Sequence, residues 1–176
     1  MASRDTDPGT SGGEPEVPTA NAWVDCVCGE RHWGRYGAAG LLLIWRSPDG
    51  QPEVLLQHRA AWTHQGGTWA LPGGARGHDE TAEQAALREA HEEAALDPAG
   101  VRTGELVVTD HGTWSYTYVF AQVQTPARPE VSPADPETEA LAWVRVDDVA
   151  AYPLHPLFAE AWPKLKDRLL QGVTDS

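Results

Sequence analysis

Three glutamates, Glu89, Glu92 and Glu93, lie in a stretch free of proline and glycine at spacings of three and four residues. On an α-helix that spacing places them within an arc of about 100°. Ala82, Ala85 and Ala86 point in nearly the same direction one or two turns earlier, Ala90 and Ala94 flank the arc, and Gln84, Arg88 and His91 form the outer face. The carboxylates therefore project from a face of small apolar residues that must pack against something. Carboxylates crowded there cost several kcal/mol to desolvate unless they are protonated or paired with cations. A hard divalent ion such as magnesium satisfies them with carboxylate oxygens, a backbone carbonyl and water. Gly73-Gly74, just upstream, offers that carbonyl, because glycine lets the backbone approach a ligand closely. Ions held this way bridge phosphate oxygens, neutralise transition-state charge and acidify a bound water, which are the requirements of phosphoanhydride hydrolysis. No Gly-Lys-Ser or Gly-Lys-Thr is present, so the chain has no P-loop.

The surrounding elements must hold that helix. Asp79 or Thr81 is placed to cap it, and it continues to about Ala95, with Asp97-Pro98 ending it. Tyr36 to Trp45 and Glu53 to Arg59 read as a β-hairpin around Ser47-Pro48-Asp49-Gly50. A short strand from Thr68 to Leu71 runs into Pro72-Gly73-Gly74, read as a glycine turn where the period changes from strand to helix. Further strands are expected at Val101–Thr109, Trp114–Gln124 and Glu139–Val146. The acidic, proline-rich loop Thr125–Pro136 is long enough to act as a lid or specificity loop. Leu157 to Leu170 reads as a closing helix in which Pro163 must start a new helix or kink the old one.

Residues 1–20 are polar and rich in Gly, Pro, Ser and Thr, and are expected to be a disordered tail ahead of a single domain over residues 21–176. Asp and Glu number 26 against 13 Lys and Arg, a formal charge of −13, so the field opposes nucleic-acid polymers and anionic membrane surfaces. No apolar run is long enough to span a bilayer, and no signal-peptide pattern opens the chain. Two cysteines, Cys26 and Cys28, are too few for a disulfide framework, and a reducing cytoplasm suits them. With His32 they suggest part of a zinc knuckle, but no second Cys or His pair follows at suitable spacing, so free thiols packed beside the core are expected.

The run Gly74-x5-Glu80-x7-Arg88-Glu89-Ala90-x-Glu92-Glu93-x-Ala95-Leu96 closely resembles the signature of the Nudix hydrolases, G-x5-E-x7-R-E-U-x-E-E-x-G-U, where U is a bulky aliphatic residue. Every charged position matches. Ala90 is smaller than the pattern asks, and Ala95 stands where it has glycine, a change expected to alter the helix exit. The likeness extends to Leu55–Arg59, Trp69–Gly74 and Glu139-x3-Trp143-Val144, and so spans roughly residues 37–150. It implies an α/β/α sandwich with a mixed β-sheet and a loop-helix-loop catalytic motif. It also implies that Glu89, Glu92 and Glu93 bind Mg2+ or Mn2+ with the Gly74 carbonyl, while Glu80 and Arg88 brace the motif. Glu89 or Glu93 is favoured as the base that deprotonates water, with Glu137 or Glu139 as an additional ligand or base.

The substrate implied is a small nucleotide in which a nucleoside diphosphate is linked to another group, acted on by a monomer or homodimer. Arg59 and Gly73 are candidates to contact phosphate, and Trp62, Trp69, Trp114, Tyr116 and Tyr118 to stack on a base. The proline pattern of the ADP-ribose branch and the signature of the NADH branch are both absent. That leans towards a nucleoside triphosphate, including an oxidised purine such as 8-oxo-dGTP, cleaved to monophosphate and pyrophosphate. The alternatives are an ADP-ribose or nucleotide-sugar pyrophosphatase and a domain that binds nucleotide without cutting it.

Overall fold

A nine-residue strand buried almost from end to end organises the structure, a computed structural model that describes residues 17–174. Ahead of it, β1 (Trp23–Asp25) and β2 (Arg31–Trp33) form a separate antiparallel hairpin. The central strand is β3 (Ala38–Arg46), followed by β4 (Pro52–Arg59), β5 (Trp69–Ala70) and β6 (Gly73–Ala75). Then come the helix α1 (Ala82–Ala94), β7 (Val101–Asp110), β8 (Ser115–Val123), β9 (Thr138–Arg145) and a second helix, α2 (Pro156–Thr174). The main sheet runs β5-β4-β3-β8-β7, with β6 added to β3 and β9 to β4. It is mixed, since β3 is parallel to β8 and antiparallel to β4 and β6.

Both faces of β3 are covered, which explains its unbroken apolar sequence. Leu41 and Leu43 pack with the alanines of α1, whereas Leu42 and Ile44 pack with Phe158, Trp162, Leu165 and Leu169 of α2. The architecture is thus the α/β/α sandwich that the sequence resemblance implied. The expected hairpin forms, with Gly50 at φ +79° and its N–H donating to the Ser47 carbonyl at 2.8 Å. Its two strands pair only over Ile44–Arg46 and Pro52–Val54, because β3 turns its first residues to β6 while β4 pairs along its length with β9.

Four expectations are corrected or narrowed. Gly73-Gly74 is not a turn but part of β6, with Gly74 opposite Ala39; a Cβ on Gly73 would lie 2.5 Å from the Ala39 carbonyl oxygen, so only glycine permits this pairing. Helix α2 runs through Pro163 without starting anew. The loop Thr125–Pro136 is not a free lid, because Ser132 and Ala134 donate backbone N–H groups to the carbonyls of Ala94 and Glu93, although its Asp135 lines the cleft that Glu89 and Glu93 also line. Ala95 keeps the helix exit that glycine would give: it adopts φ +52° and its N–H bonds to the last turn. A left-handed alanine costs about 1–2 kcal/mol. As for the proposed tail, residues 1–16 lie outside the described residues, but Pro18, Thr19 and Ala20 are tied by their carbonyls to Tyr36 and Arg35.

Candidate active site

Thr81 caps α1 in a reciprocal box with Gln84, the side chain of each accepting the other's backbone N–H. From that fixed start Ala82, Ala85, Ala86, Ala90 and Ala94 all become buried against the sheet. Side chains this small bring the helix axis close to β3 and β6, and the glutamates between them then reach the double glycine. Contact is tight: a Cβ on Gly74 would fall 2.6 Å from the Glu89 carboxyl carbon.

The three glutamates are unequal. Glu93 is buried, with 4% of its surface exposed, and its Oε2 accepts the Gly73 N–H at 2.9 Å. Burial, and then the negative charge of Glu89, push the Glu93 carboxyl up to about 8, against the opposing pull of the Gly73 N–H. Glu89 is half-buried and is also raised by burial, partly offset by Arg88. Glu92 is exposed at the rim.

Arg88 does not face outward as the helical wheel suggested. Its guanidinium folds back over the loop that precedes α1, gripping both Glu80 oxygens at 2.8 and 3.0 Å, the Ala75 carbonyl at 2.9 Å, Glu89 at 2.7 Å and Glu92 at 3.2 Å. The planar fork explains why arginine stands there, since an ammonium could not span the bidentate carboxylate and a carbonyl together. Glu80 completes the brace by accepting the Gly77 N–H, and the Arg88 pair holds its carboxyl below the usual range.

A cleft of about 590 Å³ opens above these residues. Its lining combines Gly73, Gly74, Arg88, Glu89, Glu92 and Glu93 with the rings of Trp23, Trp33, Trp62, Trp114 and Tyr116; the Tyr116 hydroxyl comes close enough to Gly73 that a Cβ there would lie 2.9 Å from it. Trp62 is 68% exposed at its mouth. Arg59 and Glu137 also line the cleft; Arg59 donates to the His64 carbonyl, and its buried Nε has no partner. Tyr118 is buried and reaches the cleft wall, while Trp114 stacks on His32 and donates to the Trp33 carbonyl.

Two named candidates fall elsewhere. Trp69 stacks on His58 and packs edge-on to Tyr152 against the α2-side core, away from the cleft lining. Glu139 is exposed and pairs with His58 at 3.5 Å, since strand alternation on β9 turns it from the side that Thr138 occupies. Glu139 therefore does not meet the α1 carboxylates.

Sequence reasoning passed over Gln57, Asp135 and His155. Gln57 is wholly buried on β4 and donates to Thr138, a polar residue in an apolar run that was a visible signal. Asp135 lines the cleft and caps the start of β9 through Thr138. His155, pushed down to about 4 by burial and then by Arg59 and His64, enters the cleft as a neutral imidazole. Neither Asp135 nor His155 had a local sequence signal.

The donor chemistry at the double glycine suits a hard cation: one buried and one half-buried carboxylate, both with pKa raised chiefly by burial, beside a backbone that no Cβ obstructs. In the geometry described, Arg88 holds Glu89 and Glu92 while Gly73 holds Glu93. Among the described residues, the group of three donor side chains drawn within 4.8 Å of one another is instead Cys26, Cys28 and His32.

The model of the NUDIX domain matches residues 35–165. The chain is 49% identical over 154 residues to a Mycobacterium tuberculosis protein named "Putative 8-oxo-dGTP diphosphatase 3", covering 83% of this chain and 69% of that one. It is similar to the crystal structure of RenU, a Nudix hydrolase from M. smegmatis, with a TM-score of 0.78 and 47% identity over 85% of this chain and 95% of that one. An Ap4A hydrolase from C. elegans shares the fold, with a TM-score of 0.58 and 22% identity over 77% of this chain and 98% of that one.

Proposed function

The chain belongs to the Nudix family of hydrolases, and within that family we propose that it cleaves a purine nucleoside triphosphate, an oxidised one such as 8-oxo-dGTP included, to monophosphate and pyrophosphate. The observation that carries this reading is a single cleft lined both by the carboxylates and glycines of the motif and by four tryptophans. A flat base suits the tryptophans through stacking, and a metal-bound polyphosphate suits the carboxylates and glycines. The name of the M. tuberculosis relative points to the same class of substrate.

In this reading Glu89, Glu92 and Glu93, with the Gly74 carbonyl, hold Mg2+ or Mn2+. The ion supplies charge neutralisation for the phosphates and a more acidic water. Arg88 and Glu80 position the ligands by locking the loop onto α1, so that Glu89 stays within reach of the double glycine. Glu89 or Glu93 accepts the water's proton in this reading, with Glu137 as an additional ligand or base; that all three line the same cleft supports it. Arg59 has a free buried donor for a phosphate oxygen, and Trp62 is the exposed ring best placed to stack at the mouth.

The test is a panel of triphosphates, ADP-ribose and nucleotide sugars incubated with magnesium, with chromatographic identification of products. Monophosphate and pyrophosphate from an oxidised purine triphosphate, at higher kcat/KM than from the rest of the panel, is the expected result. Preference for ADP-ribose or a nucleotide sugar would replace the proposed substrate, and binding without any product would remove the activity.

A further inference from the structure

The hairpin β1–β2 presents a structural problem. Each strand has three residues, the pair shares no backbone ladder with the main sheet, and yet it carries Trp23 and Trp33, which line the cleft. An isolated two-stranded hairpin is marginal at best in water. Within and beside its turn, the sulfur atoms of Cys26 and Cys28 and a ring nitrogen of His32 all lie within 4.8 Å of one another. Cys28 Sγ is 3.2 Å from His32 Nε2. Ligands of a tetrahedral zinc ion sit roughly 3.3–3.8 Å apart, given Zn–N and Zn–S bonds of about 2.0 and 2.3 Å.

A fourth donor arrives from a segment about 85 residues further along the chain. The turn between β7 and β8 packs on the hairpin: Cys26 donates its thiol to the His111 carbonyl at 3.0 Å, and the Val27 N–H donates to Thr113 at 3.3 Å. The His111 ring lies 4.8 Å from the His32 ring, and its Nε2 is buried with no hydrogen-bond partner. An unpartnered buried imidazole nitrogen, on a residue that packs against Cys26 and a second imidazole, is costly without a ligand. The His32 ring is in turn held by stacking on Trp114, with centroids 4.2 Å apart and planes within 10°.

We propose that Cys26, Cys28, His32 and His111 form a structural zinc site, His111 closing the tetrahedron by a side-chain rotation. Soft thiolates with imidazoles select zinc over magnesium, so this site and the cleft carboxylates take different ions. The zinc ties the hairpin to the β7–β8 turn and fixes the tryptophans it brings to the cleft. Two cysteines separated by one residue pair poorly as a disulfide, which leaves their thiolates available for the ion. The fourth ligand escapes a search for nearby Cys and His pairs because only the tertiary fold brings His111 to the hairpin.

Untagged full-length protein, purified from zinc-supplemented cells and gel-filtered in magnesium buffer, is expected to retain about one zinc per chain by elemental analysis. Cobalt exchanged into it should show a thiolate-to-metal charge-transfer band with intense tetrahedral ligand-field bands. Cys28→Ser should weaken zinc binding by more than about tenfold and diminish the charge-transfer band, and His111→Ala should weaken binding while keeping that band. Glu89→Gln should leave zinc content unchanged. Protein that takes up no zinc when stoichiometric zinc is supplied, a cobalt spectrum without thiolate character, or zinc lost with Glu89→Gln and kept with Cys28→Ser would each overturn the site. Unchanged zinc affinity in His111→Ala would overturn the fourth ligand. The cobalt spectrum of the unmodified chain decides the matter even if a variant fails to fold.

Discussion

The two faces of the sheet are packed on opposite plans. On the α2 face, Phe158, Trp162, Leu165 and Leu169 fill the space over Leu42, Ile44, Val54 and Leu56 with large side chains. On the α1 face, five alanines meet Leu41, Leu43, Leu55 and Val119. The first arrangement buries much apolar area per residue, which is how a core gains stability. The second gives up area to bring a helix close to the sheet, and so holds Glu89 and Glu93 against Gly73 and Gly74. The lesson is that one face chiefly stabilises and the other chiefly positions, and substitutions on the two should separate stability from rate.

The largest effect is expected from Glu93→Gln, which preserves shape and removes charge: turnover with saturating magnesium should fall at least about a hundredfold, with circular dichroism unchanged. Near-normal turnover would reject the role proposed for Glu93. On the opposite face, Trp162→Ala should cost about 3–5 kcal/mol in urea denaturation and leave kcat per folded molecule nearly unaltered. Ala86→Leu should reverse that balance. Overpacking costs about 1–3 kcal/mol, but lifting α1 from the sheet displaces the carboxylates, and kcat should drop by about tenfold or more. If both variants lose rate and stability in proportion, the division between the faces fails.

A pH series sharpens the contrast further. Glu93 carries a carboxyl raised in the folded chain to about 8, so the native state binds more protons than the unfolded state between the ordinary carboxylate range and that value. In chelator, this contribution to stability is full below the unfolded pKa and lost as pH rises through about 8. The Tm should therefore fall over that window, and Glu93→Gln should flatten the fall. Added magnesium should raise Tm more at the alkaline end, where the carboxylate is already ionised. The smallest effect should come from Ala95→Gly, which relieves a left-handed alanine and should stabilise the chain by about 1 kcal/mol without altering kcat.

Much of this was legible along the chain because it depends on local periodicity. The span of α1, its cap at Thr81, the turn at Asp49-Gly50 and the strands β7 to β9 follow from patterns within a few residues. So does the face shared by Glu89 and Glu93. Arg88 was misplaced because a helical wheel fixes where a side chain leaves the backbone, and a long arginine then bends to the carboxylates and carbonyls that the fold brings near it. Glu139 and Trp69 were plausible by residue type, but Glu139 pairs with His58 and the Trp69 ring packs on His58 and Tyr152, outside the cleft lining.

The glutamate motif and the bond it attacks were thus determined by sequence alone, since spacing on one helix and a double glycine carry both. Tertiary structure decided which carboxylate is buried, which aromatics line the cleft, and that His111 packs against Cys26 and His32. Those outcomes depend on segments far apart in the chain, and burial and long-range pairing have no local code.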